Sequence, residues 1–526
     1  MIQHVEIVLG LLAVVAGKIL LAHAIKVPDS IVLVVAGLAL GWIPGLPKSP
    51  FPPDIFLLFI LPTLIYPSAV QLPWRDFRAN LRSISLLAVG LVLLTMVGVG
   101  VIAHATIKDL PWAAAFVLGA IVSPTDPIAA TAIARRMKVP RRIEQVLEGE
   151  SLVNDSTGLV SYRLAMAAVV GGSFSYGHAA FEFVKMAGGG VVWGLAVGWG
   201  VVQIQRRIDN PPIETTISLL TPFAAYLPAE RLGISGVLAV VATGLFVGWN
   251  SPLIHKFQTR LQTVPFWEMV QFLLNGIVFL LIGLELPEII QGIRDASVGT
   301  LTGEAIVISA AVIAIRIAWV FPGAYLPHLF FPSLRQRDPF PDWEHVALVA
   351  WTGMRGAVSL AAALALPRFT QDGQPFPGRP AIQFLTYAVI VATLVVQGLT
   401  LPWVIRRLKI KSGDELEREE CEARIKISQA GLAWIDSLQG KEAPEVLEPL
   451  QAEYSDRIRQ LELSEKVENS EASPAAAAAG RRLKMEVLEL QRRKLLELRN
   501  QHVINDEVLR RIQHDLDLAE ERLQHQ

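Results

Sequence analysis

Apolar runs of about 20 residues recur along the first 410 positions of this 526-residue chain. Each is long enough to cross the hydrocarbon core of a bilayer as a helix. Their repetition excludes most folds, because lipid offers the backbone no hydrogen-bond partners. Thirteen spans are expected, near 4–24, 30–46, 54–72, 82–105, 112–134, 143–170, 178–204, 213–229, 232–250, 263–285, 299–330, 344–366 and 382–405. The mean hydropathy of +0.43 lies beyond what a soluble protein of this size reaches. The N-terminal MIQHVEIVLG lacks the basic region of a cleaved signal and reads as a retained first span. A single cysteine, Cys421, excludes an intrachain disulfide and a thiolate metal cluster.

Loop charge tests the count. One alternating set of loops carries about 15 Lys and Arg, including Arg75, Arg78, Arg135, Arg136, Lys138 and Arg141; the other carries about 6. The alternation holds across all the loops. It predicts an odd number of spans, with the N-terminus outside and the C-terminus in the cytoplasm.

The character changes after IRRLKIKSGDELEREE. Residues 1–410 form an expected transmembrane domain, and 411–526 a cytoplasmic tail rich in Glu, Arg, Lys, Leu and Gln. Tail helices are expected near 413–438, 444–465, 480–502 and 504–524, with a low-complexity linker, NSEASPAAAAAG, near 469–480. The tail carries no catalytic or nucleotide motif and reads as a solvated appendage aiding dimer contact or regulation.

Two spans look broken. Span five reads WAAAFVLGAIVSPTDPIAATAIA, with Pro124 and Pro127 flanking Thr125 and Asp126. Two prolines three apart unwind a helix, and the freed backbone is tolerated only inside protein or along a cavity. Span twelve reads VALVAWTGMRGAVSLAAALAL, with Gly353 and Gly356 bracketing Arg355. An arginine in mid-membrane costs about 2.5–3.5 kcal/mol on insertion scales, so it requires a partner. If spans one to six and eight to thirteen are two halves, the breaks fall in corresponding members. That is the pattern of an inverted-repeat secondary transporter with its site at the crossing.

Span six adds the chemistry. In GESLVNDSTGLVSYRLAMAAVVGG, Ser151, Asn154 and Asp155 stand at i, i+3 and i+4 and share one helix face. With Thr125 and Asp126 they form a set of hard oxygen ligands, suited to a small monovalent cation or a proton rather than a thiophilic metal. One carboxylate can hold either, and mutual exclusion at one group is the simplest chemistry of exchange. Glu150 points elsewhere and is the expected buried partner of Arg355.

SPTDP, ESLVND and GMRGAVSLAAAL, in this order, resemble the monovalent cation:proton antiporters, family one, the bacterial sodium/proton antiporters related to animal sodium/hydrogen exchangers. The resemblance covers about residues 1–410. It implies an all-α polytopic protein in the plasma (inner) membrane, a homodimer of 13-helix protomers with inverted six-helix repeats, and a mobile core part beside a dimerisation part. By the same resemblance Asp155 carries cation or proton alternately and Asn154 steadies it. Ser151 gives a hydroxyl and Thr125 a backbone carbonyl to the ion. Asp126 compensates the broken helix ends, Glu150 pairs with Arg355, and Arg316 matches the family's arginine in span eleven. Glu285 matches a polar position after span ten. Pro67 stands where many relatives have a glutamate that joins the ion site.

The implied activity is sodium/proton exchange, not enzyme catalysis, with no cofactor and no nucleic-acid partner. The substrates are Na+ (or K+ or Li+) and H+. The Asn154–Asp155 pair implies electroneutral exchange, since relatives with two aspartates are mostly electrogenic. Potassium/proton exchange is the main alternative, because oxygen ligands alone do not separate the two ions. A channel would need a filter loop, which is not seen here; a non-transporting sensor would use the tail as its output.

Overall fold

The computed structural model describes residues 28–43, 55–171, 176–291, 298–330, 340–370, 372–410, 415–439, 443–469 and 474–501, with isolated positions elsewhere. Expected span one and the expected tail helix at 504–524 lie largely outside the described residues. The chain divides into two compact units, Met1–Ser412 and Gly413–Gln526.

The first unit is helical. It begins with α1 (Asp29–Gly41), α2 (Phe56–Gln71), short α3 (Trp74–Ala79) and α4 (Leu81–Thr106). α2 and α4 each contain a stretch of wide π turns, Phe56–Ile60 and Leu86–Leu91. Span five is two half-helices, α5 (Trp112–Ile121) and α6 (Ile128–Arg136). Then come α7 (Arg141–Gly171), α8 (Tyr176–Gln205), α9 (Pro211–Arg231), α10 (Gly236–Ile254), α11 (Phe257–Gln291) and α12 (Val298–Phe330). Span twelve is again two half-helices, α13 (Trp343–Trp351) and α14 (Ala357–Leu364), before α15 (Arg379–Leu408).

Six helices among the described residues are long and apolar enough to cross a membrane: α4, α8, α10, α11, α12 and α15. α7 is longer than most of these yet is not one of them, because Glu150, Asp155 and Arg163 interrupt its apolar run. Exposed tryptophans Trp42, Trp112, Trp249, Trp343 and Trp403 sit at or near helix ends. That is the placement expected at the two membrane interfaces. The chain is an integral membrane protein.

Two groups of helices make up the unit. α2, α8, α9, α10 and α11 pack around Tyr66, Ala225, Val240 and Trp267, and α1 lies along α11, with Gly37 and Gly283 at the contact. Small residues let helix backbones approach where burial between apolar helices gives little drive. α4, α5, α7, α12, α14 and α15 pack around Val99, Leu118, Ile308 and Leu385; α6 and α13 join this group through α15. We call the first group the scaffold and the second the core.

In the second unit α16 (Glu415–Asp436) and α17 (Pro444–Asn469) pack as a helical pair, with Tyr454 against Gly431. α18 spans Pro474–Asn500. The expected linker near 469–480 is therefore helical from Pro474 onward. Its alanines are the strongest helix formers, and low complexity there does not mean loss of structure.

Candidate ion site at the helix crossing

The four half-helices meet where their backbones are unwound. The Asp126 amide donates to the Met354 carbonyl at 2.8 Å, stitching one break to the other. Pro124 and Pro127 remove donors on one side, and on the other the Gly356 backbone is extended. A Cβ at Gly356 would overlap the Asp126 carboxylate, so the close approach requires glycine.

Each exposed helix end then finds a charge. The Asp126 carboxylate accepts from the Ile128 amide at 2.9 Å and from the Ala357 amide, so it caps the N-termini of both α6 and α14. Helix N-termini carry partial positive charge, and an anion there is stabilising. The C-terminal ends receive arginines. Arg355 Nη1 donates to the Ser123 carbonyl just beyond α5, at 2.6 Å. Arg316 Nε and Nη2 donate to the Val349 carbonyl in the last turn of α13, at 3.2 and 3.0 Å.

Glu150 does not pair with Arg355 as expected. Its carboxylate is gripped by Arg316, with Nη1 at 2.5 Å and Nη2 at 2.9 Å, and both residues are fully enclosed. The reason is geometric. Arg355 sits in the break itself, and its side chain is drawn to the free carbonyl of the opposite break. Arg316, on continuous α12, faces α7 and delivers a planar fork to a carboxylate. Glu150 also accepts from the Thr125 hydroxyl at 2.9 Å, which in turn accepts from Asn154 Nδ2 at 2.6 Å. A chain of contacts, Arg316–Glu150–Thr125–Asn154, thus fixes the wall of the site.

Asp155 is left out of that chain. The residue is 9% exposed, and no hydrogen bond to its carboxylate is found among the described residues. It lines a cavity of about 440 Å³ together with Thr125, Asp126, Ser151 and Ser359. The cavity extends to Glu144, Glu148 and Arg135, whose side chains are 17%, 28% and 64% exposed. Asp155 therefore sits at the closed end of a water-accessible funnel. Ser151 and Thr125, both expected as ligands, stand beside it. Asn154 is placed to steady the site through Thr125, while its Oδ1 is buried without a hydrogen-bond partner among the described residues.

The scaffold supplies the facing wall with Ser68 and Gln71 of α2 and Gln271 and Asn275 of α11. Sequence reasoning missed these; the signal was polar residues spaced within apolar spans. Ser68 and Gln271 are hydrogen-bonded to each other at 3.1 Å. Pro67 is buried inside α2. Glu285, which could have been exposed at a helix end, is 4% exposed on α11, where it lines a small cavity with Phe56 and Leu360.

Comparison with known proteins shows the family and the fold. The family described as "Sodium/hydrogen exchanger, transmembrane" matches residues 10–407. An uncharacterised Na+/H+ exchanger of Mycobacterium tuberculosis is 36% identical over 98% of this chain and 96% of its own. A sodium, potassium, lithium and rubidium/H+ antiporter of Bacillus subtilis is 37% identical over 66% of this chain and 53% of its own. The solved sodium proton antiporter MjNhaP1 of Methanocaldococcus jannaschii shares the fold, with a TM-score of 0.61 at 19% identity over 77% of this chain and 99% of that one. With broken helices crossing at an acidic cavity and the family match covering most of its length, the chain belongs to the transmembrane sodium/hydrogen exchanger family.

Proposed function

We propose that this chain exchanges sodium for protons across the membrane by alternating access, electroneutrally, with cation and proton competing for Asp155. The observation that carries the reading is Asp155 itself, a carboxylate at the end of a funnel with no hydrogen bond among the described residues. Its neighbours Asp126 and Glu150 are committed to helix ends and to Arg316. One uncommitted carboxylate means one charge carried in either direction, hence one sodium for one proton. Ser151 and Thr125 would complete the sodium shell with oxygen, and Asn154 would hold Thr125 in register.

In this reading the protomer has 13 spans in two inverted repeats and works as a homodimer through its scaffold. The N-terminus is outside and the tail cytoplasmic, so the funnel, which opens beside the basic loop of Arg135 and Arg141, faces the cytoplasm. The core then slides against the scaffold to present Asp155 to the other side. Sodium leaves there, and a proton returns in its place. Arg355 and Arg316 travel with the core, keeping the C-terminal ends of the half-helices satisfied throughout.

Potassium/proton exchange is a second reading, favoured by the Bacillus subtilis relative whose name includes potassium. The test is proton flux in proteoliposomes under a set pH gradient, adding sodium, lithium and potassium in turn, with and without a potassium/valinomycin clamp. Sodium-dependent flux that ignores the clamp and vanishes in Asp155→Asn is expected. Exchange retained in well-folded Asp155→Asn would reject the carrier assignment.

A further inference from the structure

Arg163 and Glu230 lie outside the ion site, and no step above uses them. Arg163 follows Asp155 on α7 by eight residues, about 12 Å along the axis at 1.5 Å per residue. Glu144 and Glu148, at the funnel mouth, lie on the other side of Asp155. Arg163 is therefore on the closed side of the site. Its guanidinium forms an ion pair with Glu230, at the end of α9. Glu230 is itself anchored, since its other oxygen accepts from the Gly236 amide at the start of α10, at 3.0 Å.

α7 belongs to the core and α9 and α10 to the scaffold, so the pair crosses the seam between the two groups. Many contacts across this seam are apolar, such as Leu152, Val153 and Val358 against the scaffold cluster. Apolar contact is non-directional and tolerates sliding. A charge pair is different, because it holds only at one register. The two side chains keep 37% and 19% of their exposure, so both charges can be taken up by water when they part.

We propose that the Arg163–Glu230 pair is a latch. It closes the far side of the seam while the funnel is open, and it parts each time Asp155 turns to the other side. The inference rests on the alternating-access reading. For a pair this exposed, the latch biases the two states by about fivefold at most. It therefore tunes the resting state without trapping the transporter in it.

The test uses one reporter cysteine, Ala132→Cys, in a Cys421→Ser background. Ala132 lines the funnel and is exposed there, so its reaction rate with a hydrophilic maleimide in nanodiscs reads the fraction of funnel-open protein. Arg163→Gln and Glu230→Gln should each slow labelling, by up to about fivefold. The swap Arg163→Glu with Glu230→Arg should restore it, as should Arg163→Lys, which keeps the charge if the swap does not fold. Labelling unchanged in both glutamine variants, at unchanged melting temperature, overturns the latch. So does slowed labelling that neither the swap nor Arg163→Lys restores. Asp155→Asn separates the two proposals: it should abolish exchange while the reporter still labels, so exchange surviving in that variant counts against the carrier and leaves the latch standing.

Discussion

Arg316 and Glu150 form a two-pronged ion pair closed off from solvent, with Arg316 at the same time donating to the Val349 carbonyl. Three helices, α7, α12 and α13, are joined at one guanidinium. The pair ties the core together, and Thr125 links it to Asn154, the neighbour of Asp155.

Breaking this pair from one side leaves a buried charge alone, which costs about 3–5 kcal/mol. Glu150→Gln and Arg316→Met are each expected to lower the melting temperature sharply in thermal scans of the purified protein. Glu150→Leu combined with Arg316→Met removes both charges and should recover a large part of the loss. A double variant no more stable than the singles would show that the pair is not the source of the effect.

Asp126 offers a separation of charge from hydrogen bonding. Asn is as good a helix cap as Asp, whereas Ala costs about 1 kcal/mol per cap, and here two half-helices share the residue. Asn keeps only one acceptor oxygen, so Asp126→Asn is expected to retain one of the two caps and lose about 1 kcal/mol, and Asp126→Ala to lose about 2 kcal/mol. Equal melting temperatures for the two variants would remove the double-cap assignment.

Glycine at position 356 is required by contact. Gly356→Ala places a methyl group into the Asp126 carboxylate, and overpacking of this kind costs about 1–3 kcal/mol. Exchange should be lost along with stability. Gly303, exposed on α12 where an added methyl group would meet only open space, serves as the control. There alanine should be neutral or stabilising by up to about 1 kcal/mol.

Competition for one carboxylate has a pH signature. Where the proton occupies Asp155, the half-saturating sodium concentration should rise about tenfold for each unit of falling pH. It should level off at alkaline pH, where no proton remains to displace. Initial rates of sodium uptake into proteoliposomes across a pH series measure this. Half-saturation that does not change with pH would exclude a shared site.

How much of this was legible beforehand differs by element. The broken spans could be read from residues alone, since Pro124, Pro127, Gly353 and Gly356 act through local backbone geometry. The helix face of Ser151, Asn154 and Asp155 followed from the helical period. The scaffold wall of Gln271 and Asn275 was not read, because one polar residue in an apolar run does not say which neighbour it faces.

The sequence by itself determined that the chain must be a bundle of membrane helices, where two of them break, and which carboxylate sits on the polar face of span six. These depend on apolar length, proline and periodicity, which are properties of neighbours along the chain. Only the tertiary structure decided that Arg316 rather than Arg355 meets Glu150, that Asp126 caps two helices at once, and that Arg163 reaches Glu230 across the seam. Charges buried among helices pair with whatever lies nearest in space. Residues 150 and 316 become neighbours only when α7 and α12 pack side by side.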